Sequence, residues 1–216
     1  MTETPILEIQ NLTFRFDDRT ILEDISLQLW PGDLVLLCGE SGAGKSTLAK
    51  VLCGHFTENG GQVETGNIRV SGQDVTDFTA SKRSAYITSL FQNAAGSFSM
   101  PDLRQEMIFC LENLETPPDA IDDVIDRVVK KLDLASLLDR DFTDLSGGEV
   151  ERCALAIAEL YPGDLYVLDE PFANLDDEAV RECQERIEKW RRQGKAVLVI
   201  DHRLEHWTDC TKRYLL

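Results

Sequence analysis

Two short stretches hold the residue types needed to handle a polyphosphate and its metal. Residues 39–47 read Gly39, Glu40, Ser41, Gly42, Ala43, Gly44, Lys45, Ser46 and Thr47, which fits the pattern GxxxxGK[ST]. Glycines let successive backbone N–H groups converge on phosphate oxygens, and a helix starting where the run ends adds a positive dipole end. In such a loop Lys45 holds the β- and γ-phosphates and the Ser46 hydroxyl ligates Mg²⁺. The second stretch, residues 165–170, is an apolar run that ends in Asp169 and Glu170. Asp169 is placed to bind Mg²⁺ through water, and Glu170 to polarise an attacking water as general base. An acidic pair at a strand end is ordinarily a solvated surface feature. Roughly 120 residues after a phosphate loop, it acquires a chemical reading.

These residues need an α/β scaffold, and the patterning supplies one. Apolar runs at 34–38, 86–91, 165–168 and 196–200 alternate with helical periodicity, which predicts buried strands of a mainly parallel sheet. The phosphate loop then falls between a strand and a helix, as it must. Residues 6–14 and 21–29 read as half-buried strands joined by a polar turn at 17–19, and 68–70 as a strand closed by a turn at Ser71 and Gly72. This opening section predicts an antiparallel sheet beside the parallel core. Ile121, Val124, Ile125, Val128, Val129 and Leu132 lie on one helical face, entered through Pro117 and Pro118. A second helix over 178–193 turns Val180, Cys183, Ile187 and Trp190 to one side and stops at Gly194.

The chain has 216 residues, 43% hydrophobic and 28% charged, which suits one sizeable core with a small inserted lobe. Its net charge is −17, from 39 acids and 22 bases. A nucleic-acid surface is disfavoured, because phosphate contact needs clustered Lys and Arg. Residues 1–10 lack the features of a signal peptide, and the longest apolar runs are too short to span a bilayer. The six scattered cysteines include no CxxC pair and read as buried, reduced thiols of a cytoplasmic protein.

Leu145, Ser146, Gly147, Gly148 and Glu149, a short helix before Asp169, decide among phosphate-loop families. They resemble the LSGGQ signature of ABC ATPases. Other elements fall in that family's order: Phe16 at the aromatic position that stacks on adenine, Gln92 at the Q-loop, residues 173–176 at the D-loop, and His202 at the switch. Taken singly, each has a plainer reading as a core aromatic, a surface amide, a loop or a structural histidine. Their joint order and spacing carry the resemblance across residues 6–216. It implies a single ABC ATPase domain over 1–216. Residues 1–92 and 145–216 would form a RecA-like core with the antiparallel subdomain, and about 93–144 a helical subdomain.

The resemblance implies ATP and Mg²⁺, with Ser46, Gln92 and Asp169 around the metal. Residues 39–47, Phe16 and Ser146, Gly147, Gly148 and Glu149 would bind nucleotide, and Glu170, His202, Gln92 and Lys45 would serve hydrolysis. It further implies a head-to-tail dimer with a second ABC ATPase subunit and peripheral attachment to transmembrane subunits on the cytoplasmic face. Phe91, Gln92, Asn93 and the following stretch to Phe109, with residues 199–205, look most like energy-coupling-factor importers, whose basic coupling helices suit this acidity. Ala94 stands where that branch has proline, and Glu149 where the signature has glutamine. Another ABC transporter subunit, or a soluble ABC ATPase, is the alternative. Residues 213–216 fall within an expected last strand, which reads as a minimal subunit or part of a longer, tandem chain.

Overall fold

The computed structural model describes residues 4–56, 60–91, 98–173 and 175–216. Its principal elements are β1 (Leu7–Phe16), β2 (Arg19–Leu29), β3 (Leu34–Cys38), α1 (Lys45–Cys53), β4 (Gly61–Val70), β5 (Gln73–Asp74), α2 (Ala80–Arg83), β6 (Ile87–Leu90), α3 (Leu103–Asn113), α4 (Pro118–Leu132), α5 (Gly147–Ala158), β7 (Leu165–Asp169), α6 (Asp177–Arg192), β8 (Ala196–Ile200) and β9 (Lys212–Leu215). The chain divides into two compact units. One comprises Met1–Ser89, Gly163–Glu170 and Arg186–Leu216, the other Leu90–Pro162 and Pro171–Glu185.

The first unit contains the two expected sheets. A five-stranded sheet has the order β6-β7-β8-β3-β9. Its pairs β7/β8, β3/β8 and β3/β9 are parallel. Every residue of β7 and β8 is buried, which is why these strands read as unbroken apolar runs rather than alternating ones. The residues after β7, β8 and β3 leave side by side from the carboxyl ends of neighbouring strands, where open α/β sheets place ligands.

The other sheet, β2-β1-β4-β5, is antiparallel throughout. Here β4 begins at Gly61, seven residues before the expected start at Ile68. The added segment, Gly-Gln-Val-Glu-Thr-Gly-Asn, is polar and carries no strand signal of its own. It becomes strand because β1 supplies partners, with Phe16 opposite Gly61 and Phe14 opposite Val63. A side chain at Gly61 would strike the Phe14 ring at 2.5 Å, so this close approach requires glycine. Asn11 and Asp24 sit at positive φ where the β1/β2 register shifts, and the Asn11 Nδ2 donates to Asp24 Oδ1 at 2.7 Å.

The second unit is built around α3, α4 and α5. The predicted α4 face is buried at Ile121, Ile125, Val128 and Val129, and meets Met107 and Leu111 of α3 and Cys153 of α5. Burial of each such side chain stabilises by about 1.5–3 kcal/mol. Pro118 opens α4, and Lys130 and Lys131 lie in its last turn, as the helix dipole favours. Phe98 stacks on Phe142 with centroids 4.0 Å apart. The buried Glu106 carboxylate accepts the N–H groups of Ser99 and Met100, each at 2.8 Å, and so fixes the approach to α3. The predicted α6 face (Val180, Cys183, Ile187 and Trp190) is buried, and Gly194 follows the helix at φ 82°.

Burial pushes the carboxyl of Glu151, on α5, from an ordinary 4.5 to about 7. Between those values the folded chain holds a proton that the unfolded chain releases. The stability associated with it is complete below about pH 4.5 and lost as pH rises through about 7. Glu151→Gln is therefore expected to stabilise the fold by roughly 1–3 kcal/mol at about pH 8 and to change little below about pH 4.5. Denaturant titrations at both pH values check this, and an equal effect at both would sink it.

All six cysteines are free. Four are buried, but Cys38 and Cys210 are only partly so, since both sit beside the edge strand β9 rather than inside the core. Among the described residues no helix is long and apolar enough to cross a membrane.

Candidate active site

The loop after β3 is held by its own lysine. Lys45 Nζ donates to the carbonyl oxygens of Gly39 at 2.9 Å and Glu40 at 2.8 Å. Gly44 forms the N-cap of α1 at φ 95°, where any side chain would come within 2.9 Å of Leu22. Left-handed backbone and lack of space together dictate glycine there. No side chain caps α1, and no acid stands in its first turn. The helix start thus keeps its orphan N–H donors for an anion. The loop and Ser46 are largely exposed, whereas Gly44 is buried.

The sheet brings the acids to this loop. The Ser46 hydroxyl acts on the Asp169 carboxyl, which brings together two of the three residues read from sequence as metal-binding. Burial pushes the Asp169 carboxyl up, while the Ser46 hydroxyl, Lys50 and Lys45 pull it down. Hard oxygen donors of this kind fit Mg²⁺, whose remaining ligands would be phosphate and water. Among the described residues no group of three or more His, Cys, Asp or Glu side chains forms a metal cage.

Glu170 shares with a few other non-glycine residues a backbone at positive φ. It lies at φ 50°, a left-handed conformation, and its N–H donates to the Ile200 carbonyl at 2.8 Å. That bond ties the acid to the end of β8. His202 Nδ1 stands 3.3 Å from Glu170 Oε1 and 3.7 Å from Asp201 Oδ1. Lys45, Ser46, Asp169, Glu170 and His202 all belong to the first unit. Their geometry can neutralise phosphate charge, hold a divalent cation, and present a base to water.

Phe16 ends β1, partly buried, with its ring edge-on to Phe14 at 5.0 Å. Gln92 lies outside the described residues, as does Asn174 of the expected D-loop. Asp176 of that loop accepts the Ala179 N–H at 2.9 Å, so it caps the start of α6.

The residues from Ser146 belong to the second unit and form a self-contained helix start. Ser146 is the N-cap of α5, and Glu149 completes a capping box with it. Glu149 Oε2 accepts both the N–H and the hydroxyl of Ser146 at 2.8 Å. Arg140 Nη1 donates to Glu149 Oε1 at 3.1 Å, while Nη2 reaches the Asp144 carbonyl at 2.7 Å. The Ser146 N–H and hydroxyl, with Arg140 behind them, hold the Glu149 carboxyl below its ordinary range. The two glycine-rich helix starts therefore differ. That of α1 leaves its donors open, whereas that of α5 already engages a carboxylate.

Sequence reading assigned no role to Asp201 or Arg140. Asp201 carries the signal that revealed Asp169, an acid directly after a buried apolar strand. Arg140 offered none, because its pairing depends on how two loops fold back on α5.

A family model described as ABC transporter matches residues 22–173. The chain belongs to the ABC transporter family. An ABC transporter ATP-binding protein of Treponema denticola is 32% identical over 215 residues, covering 97% of this chain and 43% of the relative. A Bacillus subtilis protein with the provisional name HMP/thiamine import ATP-binding protein YkoD is 32% identical over 215 residues, covering 98% of this chain and 39% of the relative. The chain thus spans about two fifths of the length of these relatives. Among solved structures, cbiO1 of Clostridium perfringens, part of the transporter complex cbiONQ, superposes with TM-score 0.83 at 23% identity, covering 99% of this chain and 85% of that one. A nucleotide-free ATP-binding cassette superposes with TM-score 0.83 at 22% identity, covering 99% and 88%. This ABC chain therefore has the P-loop ATPase fold that its sequence implies.

Proposed function

We propose that this chain binds Mg·ATP and hydrolyses it to ADP and phosphate as the nucleotide-binding domain of an ABC importer, nearest the energy-coupling-factor type. The observation that carries the chemistry is the convergence of Lys45, Ser46, Asp169, Glu170 and His202 at adjacent strand ends. Ser46 and Asp169 hold Mg²⁺ in this reading, and Gln92 joins them. Bound there, Mg²⁺ offsets charge on the phosphates. Phe16 packs on adenine, and residues 39–47 wrap the phosphates. Glu170 takes a proton from water as the new O–P bond forms, and the bond from the γ-phosphorus to the β-bridging oxygen breaks. His202 and Lys45 steady the charge on the transferred group, so catalysis is mainly positioning and electrostatics.

The signature residues are read as completing the site of a second ABC ATPase subunit. Gly148 supports this: a side chain there would meet nothing within 4 Å among the described residues, so none of them demands glycine by packing. Its small size serves something that approaches from outside. Importer identity is supported by the name of the Bacillus subtilis relative and by the stretch around Phe91. The net charge of −17 suits basic segments of transmembrane partners at the cytoplasmic face. The division into a catalytic core over 1–92 and 145–216 and a helical subdomain over about 93–144 follows the same reading, whereas the two compact units group Leu90–Pro162 with Pro171–Glu185.

A dimer test is direct. With Glu170→Gln and excess ATP, light scattering after size exclusion is expected to show the mass of two chains, and with ADP the mass of one. A single-chain mass in both conditions, at protein concentrations well above the ATP dissociation constant, would remove the homodimeric sandwich.

A further inference from the structure

His202 is exposed, with 63% of its side chain accessible, yet the segment that carries it is anchored at both ends. Asp201 follows β8 directly and is fully buried. A buried ionised carboxylate is costly unless donors surround it, and here they do. Its Oδ2 accepts the Trp207 indole N–H at 3.0 Å, and its Oδ1 accepts the Arg203 backbone N–H at 2.9 Å. Arg203 Nε lies 3.7 Å from the same Oδ1 and offsets its charge. Trp207 is itself buried, at 2% exposure, so the carboxylate closes a short loop onto the core through Leu204–His206, one turn of 3₁₀ helix.

The histidine ring is placed by this loop. Its Nδ1 faces two carboxylate oxygens, Glu170 Oε1 at 3.3 Å and Asp201 Oδ1 at 3.7 Å. An ionised carboxylate only accepts hydrogen bonds, so the ring nitrogen that faces it carries the hydrogen. Nε2 is then left for a substrate oxygen. We infer that Asp201, clamped by the Trp207 indole, is a positioning residue that fixes the His202 loop and so holds the ring in its Nδ1–H form against Glu170 Oε1, 3.3 Å away. This rests on the reading of His202 as a residue facing the transferred phosphate. A carboxylate is needed because both of its oxygens accept. An amide at 201 would turn an N–H₂ toward one of the two donors.

The test combines ¹⁵N-histidine NMR on the full chain with steady-state kinetics and mant-ATP binding. His202→Ala identifies the His202 ring signals among those of His55, His202 and His206. Well above neutral pH, the parent is expected to show Nδ1 protonated and Nε2 bare. Asp201→Asn and Trp207→Phe should each shift His202 toward a mixture of tautomers. Each should lower kcat by about tenfold or more while mant-ATP affinity changes less than about twofold, since displacement of a catalytic group costs turnover before binding. Trp207→Phe keeps an aromatic ring at this buried site, though a smaller one, and removes the donor, so it serves if Asp201→Asn does not fold. Unchanged tautomers in Trp207→Phe would overturn the inference, and so would altered tautomers with unchanged kcat. If the parent chain shows no ATP turnover at any protein concentration, the functional reading fails. The NMR comparison still decides the role of Asp201.

Discussion

Replacing Glu170 by glutamine is expected to remove ATP turnover while leaving ATP bound. The substitution is close to isosteric, and the amide oxygen can still accept from His202 Nδ1, now 3.3 Å from Glu170 Oε1. The backbone bond from residue 170 to Ile200 is untouched. What disappears is an acceptor basic enough to take a proton from water. Loss of a positioned general base typically costs about 10²–10⁴ in rate. Phosphate release should fall by that factor, and mant-ATP affinity should stay within about twofold, since Lys45, Ser46 and the loop donors remain. Turnover at the parent rate would show that Glu170 is not the base.

The largest effect on stability is expected at Arg83, a fully buried guanidinium that no motif announces. It donates to four backbone carbonyls. Nη1 reaches Val51 at 2.6 Å and Leu52 at 2.8 Å, Nη2 reaches Thr76 at 2.6 Å, and Nε reaches Phe78 at 3.1 Å. Val51 and Leu52 lie in the last turn of α1, where carbonyls run short of helical partners and the helix dipole favours a cation, although the Val51 oxygen also accepts the Gly54 N–H at 3.2 Å. Arg83→Ala leaves these acceptors buried beside a cavity. Each unmet acceptor costs about 1–3 kcal/mol, partly recovered by relaxation and water entry. A net loss of about 3–5 kcal/mol is expected, or roughly 10 °C in a thermal melt of a chain this size. Arg83→Lys keeps the charge but is not expected to keep the stability, because one ammonium cannot match a planar fork of donors. Since α1 begins at Lys45, ATP affinity should weaken as well. A melt of Arg83→Ala unchanged within about a degree would refute this account.

These two residues mark what a sequence can carry. Glu170 was readable because its neighbours in sequence are its context, a buried strand followed by two acids. The buried α4 face and the runs at 34–38 and 196–200 were readable for the same reason, since period and length are local properties. Arg83 was not, because two of its four carbonyl partners lie 31 and 32 residues away and the nearer two, at Thr76 and Phe78, are backbone groups that leave no mark in the sequence. The first half of β4 was hidden too, being strand only because β1 lies beside it. Glu149 was visible as a departure from the signature, but its use was not. That depends on Ser146 and Arg140 closing around the carboxylate. Asp201 stood in plain view after β8, and only the turned-in Trp207 indole shows what it does.

The left-handed backbone of Glu170 bears on selection and engineering. A side-chain-bearing residue at φ 50° gives up about 1–2 kcal/mol relative to an ordinary conformation, and glycine or asparagine at that position relieves part of it. Variants enriched for heat resistance alone would therefore gather replacements at residue 170. They would be sturdier and chemically silent. Only a screen that also demands nucleotide turnover would keep the acid.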